Sequence, residues 1–310
     1  MSLTIFTDPV FEEHDTGRHP ESPSRLKAIR KRLTDERLKE LGKRGAIRRA
    51  TLEEVTRIHG KDYVARLEKM ANDGGGRLDA DTVMSAASFE VAMKAAGTAI
   101  AAVDTVIKGE SNRGLCLFRP PGHHALADEA MGFCLLNNVA IAAAHARGHH
   151  RLDRVLIVDW DIHHGNGTQD LFYSDSQVVF FSSQRFPFWP GSGSKEESGT
   201  GAGIGANFNL PVTYGTKPSE FRKAFEATLV DAVRRARPQL VLISAGFDAH
   251  REDPVGDLGL DNEDFEWLTK IACDVADAEC GGKLVSLLEG GYNVDRLAEC
   301  VELHAEGFAK

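Results

Sequence analysis

Short apolar runs and longer stretches with helical periodicity alternate along the whole 310-residue chain. The runs at residues 3–8, 46–50, 114–118, 155–160, 178–183, 207–212, 240–246 and 283–289 predict eight strands. Residues 155–158, 178–181, 240–243 and 284–288 are apolar without alternation, the pattern of strands buried on both faces in a helix-covered parallel sheet. Helical spacing over residues 22–41, 85–108, 136–147, 218–236, 261–278 and 293–308 predicts the intervening helices. Ser22-Pro23-Ser24 and Pro218 stand where a helix start tolerates them. This order predicts an α/β fold, a doubly wound sheet in one domain spanning residues 1–310. Residues 184–206, rich in Gly, Ser and Pro, read as a long loop, and such loops in compact domains usually serve function.

Composition narrows the classes. A net charge of −9 and a pI near 5.8 argue against direct nucleic-acid binding, which needs a basic face. No apolar run approaches a membrane span, and the N-terminus lacks the basic start and apolar core of a signal peptide. The five cysteines, an odd number without a Cys-x-x-Cys pair, read as reduced thiols of a cytoplasmic protein. No membrane partner is expected, and a homo-oligomer is compatible with the composition.

Four strand ends carry chemistry. The run at 155–158 ends in Asp159-Trp160-Asp161-Ile162-His163, and alternate side chains of an extended segment share one face. Two carboxylates and an imidazole converging there cost too much desolvation to stand without a partner, and a metal is the simplest one. Ser244-Ala245-Gly246-Phe247-Asp248 brings another carboxylate to the end of a buried strand. With Asp161 and His163 it would leave a coordination position open for water. Arg119-Pro120-Pro121-Gly122-His123-His124 places tandem histidines, suited to proton transfer, after a rigid turn. Leu288-Glu289-Gly290-Gly291-Tyr292 offers a close backbone approach and a phenol able to donate to an oxyanion. His149-His150, in a polar turn, receive no role. His164 receives none beyond packing its own turn.

Together with Arg18-His19-Pro20-Glu21-Ser22-Pro23, Met131-Gly132-Phe133 and Pro190-Gly191-Ser192-Gly193, these segments resemble the histone deacetylase and acetylpolyamine amidohydrolase superfamily, in its class II-like bacterial branch. The resemblance covers nearly the whole chain and implies a three-layer α/β/α domain with an eight-stranded parallel sheet, shared with arginases. It implies one Zn2+ held by Asp161, His163 and Asp248, and catalysis by His123, His124 and Tyr292, with Asp159 behind His123 and Asn166 behind His124. It implies a structural K+ held by Asp159, Asp161, His163, Ser182 and Ser183. Substrate contacts would come from Gly132, Phe133, Phe188, Trp189, Gly290 and Gly291, with Arg25 lining a channel behind the metal.

The implied reaction is zinc-dependent hydrolysis of an N-acetyl amide. His124 takes a proton from water, the Tyr292 hydroxyl steadies the oxyanion, and a protonated histidine serves the leaving amine. Relatives selective for polyamines carry a gatekeeper glutamate where this chain has Val255, so acetyl-lysine in proteins or peptides, or a small acetylated amine, is preferred over acetylpolyamine. Nearby Glu252 and Asp253 keep the polyamine alternative open. An arginase-like dinuclear site is disfavoured because Trp160 and Ile162 cannot ligate. A non-catalytic acyl-lysine binder is disfavoured because no ligand and no Tyr292 equivalent is missing.

Overall fold

The computed structural model describes residues 2–310. Its strands are β1 (Leu3–Thr7), β2 (Lys43–Arg44), β3 (Gly75–Arg77), β4 (Val83–Ser85), β5 (Arg113–Leu117), β6 (Val155–Asp159), β7 (Val178–Arg185), β8 (Asn207–Val212), β9 (Leu240–Ala245) and β10 (Leu284–Leu288). Its helices are α1 (Ser24–Arg32), α2 (Asp35–Leu41), α3 (Leu52–Val55), α4 (Lys61–Asn72), α5 (Ser88–Ile107), α6 (Asn138–Gly148), α7 (Asn166–Phe172), α8 (Pro218–Ala236), α9 (Asn262–Cys280) and α10 (Val294–Ala309).

Eight strands form one sheet in the order β2-β1-β5-β10-β9-β6-β7-β8, and every pairing in it is parallel. The expected three-layer α/β architecture is therefore present. Strands β5, β6, β9 and β10 are buried along their whole length, which is why their sequences do not alternate. The chain passes from β5 over two strand positions to β6, and β9 and β10 later fill the gap. Such a switch point opens a crevice at the carboxyl ends of the strands. The four chemistry-bearing segments follow β5, β10, β9 and β6, four neighbouring strands.

Two elements differ from expectation. The second strand is Lys43–Arg44, and residues 46–50 are not a strand. The Gly45 amide bonds to the Ile5 carbonyl, but the Ala50 amide turns to Met93 of α5. Gly97 of α5 permits this approach, because a Cβ there would lie 2.3 Å from the Arg48 carbonyl oxygen. The single helix expected over 22–41 is broken at Leu33, and Thr34 caps α2 by accepting from the Arg37 amide. Helix α4, outside the expected set, carries Tyr63, Val64, Leu67 and Ala71 on one buried face at helical spacing; the β3-β4 hairpin is not marked by periodicity, and α7 spans seven residues, too few for a helical repeat to register. Residues 184 and 185 belong to β7, so the irregular segment begins at Phe186. No helix among the described residues is long and apolar enough to cross a membrane. All five cysteines are free and buried.

Candidate active site and metal centre

Strand β6 ends at Asp159, and Asp161 and His163 follow it in a bend rather than in the expected extended segment; they converge with Asp248, one potential ligand atom from each lying within 4.8 Å of the others. His163 Nδ1 lies 3.1 Å from Asp161 Oδ1 and 3.1 Å from Asp248 Oδ2. A tetrahedral cation with bonds of about 2.1 Å separates its ligands by about 3.4 Å, so small shifts would admit one. The backbone holds both carboxylates: Gly290 N–H donates to Asp161 Oδ2 at 2.8 Å and Ile162 N–H to Asp248 Oδ1 at 3.0 Å. Gly290 is obligatory, since a Cβ there would stand 2.3 Å from Asp248 Oδ2 and 2.5 Å from Asp161 Oδ2.

Asp159, Asp161, Asp248 and Glu289 are all buried. Among the described residues no Lys or Arg pairs with these four carboxylates; the ion pairs are with His123 and His163. Burial and the Asp161 charge push Asp248 up to about 7. Burial disfavours the His163 cation, but its bonds to Asp161 and Asp248 outweigh that and hold it up at about 10. A buried donor set with excess negative charge fits a resident cation. Behind it, the Ser182 and Ser183 hydroxyls are buried with no hydrogen-bond partner.

The paired histidines are held differently. His123 Nδ1 meets Asp159 Oδ2 at 2.9 Å. Burial opposes its cation, but Asp159, Asp161 and Glu289 prevail and raise it to about 10. His124 Nδ1 faces Asn166 Oδ1 at 2.8 Å, and Asn166 Nδ2 turns to the Met131 sulfur. Burial and the neighbouring His123 and His163 push His124 well below its ordinary range. The two rings are 3.9 Å apart between centroids. One is thus held charged and the other neutral.

Tyr292 is fixed through its backbone. Asp253 Oδ2 accepts from the Tyr292 and Asn293 amides at 2.6 and 3.1 Å. The Arg25 guanidinium lies 5.2 Å from the Tyr292 ring centroid and donates to the carbonyls of Gly291, at 2.7 Å, and of Glu289. Burial, with Asp248 and Asp161, raises the Tyr292 phenol well above its ordinary value, so it keeps its proton.

A cavity of about 220 Å3 is lined by Asp81, His124, Gly132, Phe133, His163, Phe188, Trp189, Val255 and Tyr292. Phe133 has φ +70°, unusual for a residue with a side chain, and its amide is held by Thr82 Oγ1 at 3.1 Å; such outliers gather at ligand clamps. Phe188 stacks on His163 at 5.2 Å, and Trp189 stands edge-on to His124 at 4.7 Å. Gly290, Gly291 and Arg25 do not line the cavity; Arg25 is fully buried behind the turn that carries Tyr292.

Three residues were not singled out in the sequence for what they do here. Glu289 accepts from the Gly122 and His123 amides at 2.7 and 3.3 Å and from Ser244 Oγ at 3.0 Å, so it braces the histidine turn; a lone Glu after an apolar strand was the available signal. Asp81 lines the cavity from the β3-β4 hairpin, which no sequence pattern marked. His164 does more than pack its turn: Nδ1 meets Ser192 Oγ at 2.8 Å and Nε2 meets Gln169 Oε1 at 3.0 Å. With Gln184 donating to the Gly193 carbonyl at 2.6 Å, it moors the loop bearing Phe188 and Trp189.

Residues 19–308 match the histone deacetylase domain family. A histone deacetylase-like amidohydrolase of Pseudomonas aeruginosa is 39% identical over 245 residues, which are 79% of this chain and 64% of that protein, so the chain spans just under two thirds of that relative. A probable deacetylase of Archaeoglobus fulgidus is 36% identical over 94% of this chain and 81% of its own length. The human polyamine deacetylase HDAC10 is 39% identical over 91% of this chain and 43% of its own length. The crystal structure of the HDA15 HD domain superposes with a TM-score of 0.91 at 31% identity, covering 99% of this chain and 89% of that one. Sequence and fold together place the chain in the histone deacetylase family.

Proposed function

We propose that this chain is a zinc-dependent hydrolase that removes the acetyl group from an acetylated amine, with acetyl-lysine in a peptide or protein as the favoured substrate. The observation that carries this reading is a single cavity lined by His124, His163 and Tyr292 together with Phe133, Phe188 and Trp189. Aromatic walls suit an aliphatic acyl-lysine stem, and the three polar groups suit its amide.

Asp161, His163 and Asp248 would hold Zn2+, and such a cation supplies Lewis acidity, lowering the pKa of a water and polarising a carbonyl. Neutral His124, with its Nδ1–H committed to Asn166, offers Nε2 to take the proton of the attacking water. The protonated phenol of Tyr292 donates to the oxygen that becomes negative. Charged His123 disfavours a second cation beside it, which drives the proton from His124 to the leaving amine. Acetate and a free amine result. Asp159 keeps His123 charged and oriented. Asp159, Asp161, His163, Ser182 and Ser183 would surround K+, a reading supported by the two unpartnered serine hydroxyls.

Selectivity rests on the cavity rim. Val255 is part of the lining. Asp253 is turned inward, with Oδ1 on the Val255 and Gly256 amides and Oδ2 on the Tyr292 and Asn293 amides. Glu252 pairs with Arg296 at 3.1 Å. Neither is free to attract a distal ammonium. Asp81 is the exception: its place in the lining favours the second reading, a small acetylated amine with a distal cation, as the name of the human relative suggests. Values of kcat/KM for an acetyl-lysine peptide, acetylputrescine and acetylspermidine, measured with one Zn2+ per chain, test both. A peptide preference is expected. Equal or better turnover of acetylspermidine transfers the conclusion to the second reading, and no turnover of any acetylated amine overturns both.

A further inference from the structure

The far end of α6 carries a second concentration of imidazoles. His145 and His149 stand four residues apart on one helix face, with rings stacked at 4.8 Å and 13°. The His150 ring is edge-on to both, at 5.3 and 4.8 Å. One ring nitrogen from each of the three lies within 4.8 Å of the others.

Asp104 of α5 organises the group. Its Oδ1 receives Nε2 of His145 and Nε2 of His150, each at 2.7 Å, while Lys108 Nζ stands 3.8 Å from Oδ2. A carboxylate oxygen only accepts, so both rings carry their proton on Nε2 and leave a lone pair on Nδ1. His145 is 5% exposed, and its Nδ1 is buried with no hydrogen-bond partner. Leaving a buried acceptor unpaired is costly, so this lone pair is available to an ion. Burial also lowers the His145 pKa, against the pull of Asp104, which keeps that lone pair free.

We propose that His145, His149 and His150 form a second metal site, for a divalent ion of the zinc, nickel or copper class, with Asp104 as the carboxylate behind two of the ligands. Imidazole donors suit these borderline ions. A carboxylate on the remote nitrogen fixes the tautomer and strengthens the ligand. A cation at a helix C-terminus gains from the exposed carbonyls. His149 is exposed, so the ion enters from solvent. Helix α6 starts at Asn138, so its rise puts about 10 Å between the active-site end and His145 and about 16 Å between that end and His149. There Asn137 caps α6 and donates to the backbone carbonyl of His123. The ion would clamp α5 to the turn before β6, apart from the catalytic centre.

The test is Zn2+ binding to the full chain by equilibrium dialysis at micromolar free Zn2+, with metal counted by mass spectrometry. Wild type is expected to bind two equivalents. His149→Gln/His150→Gln, altered at exposed and half-buried positions, is expected to bind one and to keep wild-type turnover. Asp104→Asn is expected to weaken the second equivalent about 10- to 100-fold while leaving the first unchanged. One equivalent in wild type, or two in the double variant, overturns the proposal. Far-ultraviolet circular dichroism confirms that the variants are folded, and the wild-type count alone decides if they are not.

Discussion

Two groups of ionisable side chains lie fully buried in this protein, and they resolve the cost of burial in opposite ways. Around Glu21 the chain supplies its own counter-charge. Arg119 pairs with Glu21 through Nε and Nη2, the latter at 2.7 Å, and Arg25 Nη1 adds a contact at 3.1 Å. Surplus guanidinium protons go to the carbonyls of Phe11, His14, Glu289 and Gly291. Around Asp161 the chain supplies carboxylates, imidazoles and amide donors, but no Lys or Arg. The first group is complete as protein and acts as a clamp, because Arg25 joins α1 to the turn holding Tyr292. The second has only His123 and His163 as partners for its carboxylates, and a cation on Asp161, His163 and Asp248 would complete it. Burial of charge is therefore no sign of function; burial with the compensation left out is.

The largest effect expected from this contrast is at the incomplete group. Asp161→Ala should reduce tightly held active-site metal from about one equivalent to almost none, with kcat down by about 1000-fold or more, read by metal analysis and steady-state rates. Near-normal metal content would show that the group does not depend on a cation. At the self-compensated group, Glu21→Gln leaves two buried guanidiniums unpaired and should cost about 3–5 kcal/mol in urea unfolding, without changing metal stoichiometry. Coupled loss of metal would erase the distinction between the groups.

The Glu21 contribution also has a pH signature. Burial alone would raise this carboxyl, but Arg119 overrides burial and holds it at about 2 against an ordinary 4.5. A depressed acid stabilises the fold fully above its unfolded value and loses that contribution as pH falls through its folded value. Acid titration of stability should therefore show a decline between about pH 4.5 and 2 that Glu21→Gln lacks.

Tyr292→Phe removes one proton donor and should lower kcat by about 100- to 1000-fold with metal retained, which separates the phenol from the ligands. The smallest effect is at the rim. Val255→Glu should raise kcat/KM for acetylspermidine relative to an acetyl-lysine peptide by about 5-fold, the worth of one partly exposed charge pair. An unchanged ratio would leave Asp81 as the carboxylate that governs the mouth.

Much of this was legible in the order of residues alone. Unalternating apolar runs marked the buried parallel strands, because strands covered on both faces need no polar side, and Asp-x-Asp-x-His after such a run marked the donor set by its residue types, although a bend past Asp159 makes it converge. What escaped was set by contacts distant along the chain. Whether residues 46–50 pair as a strand depended on a glycine of α5. Whether Asp253 guards the cavity mouth depended on amides some forty residues away. His149 and His150 read as an idle polar turn, but α6 brings His145 and α5 brings Asp104 beside them.

The sequence by itself determined the layers of the fold and which side chains could carry chemistry, since periodicity and donor type are local properties. Only the tertiary structure decided which charges find a counter-charge, which histidine stays neutral and which carboxylate faces the cavity, because electrostatic compensation depends on what the folded chain packs against each group.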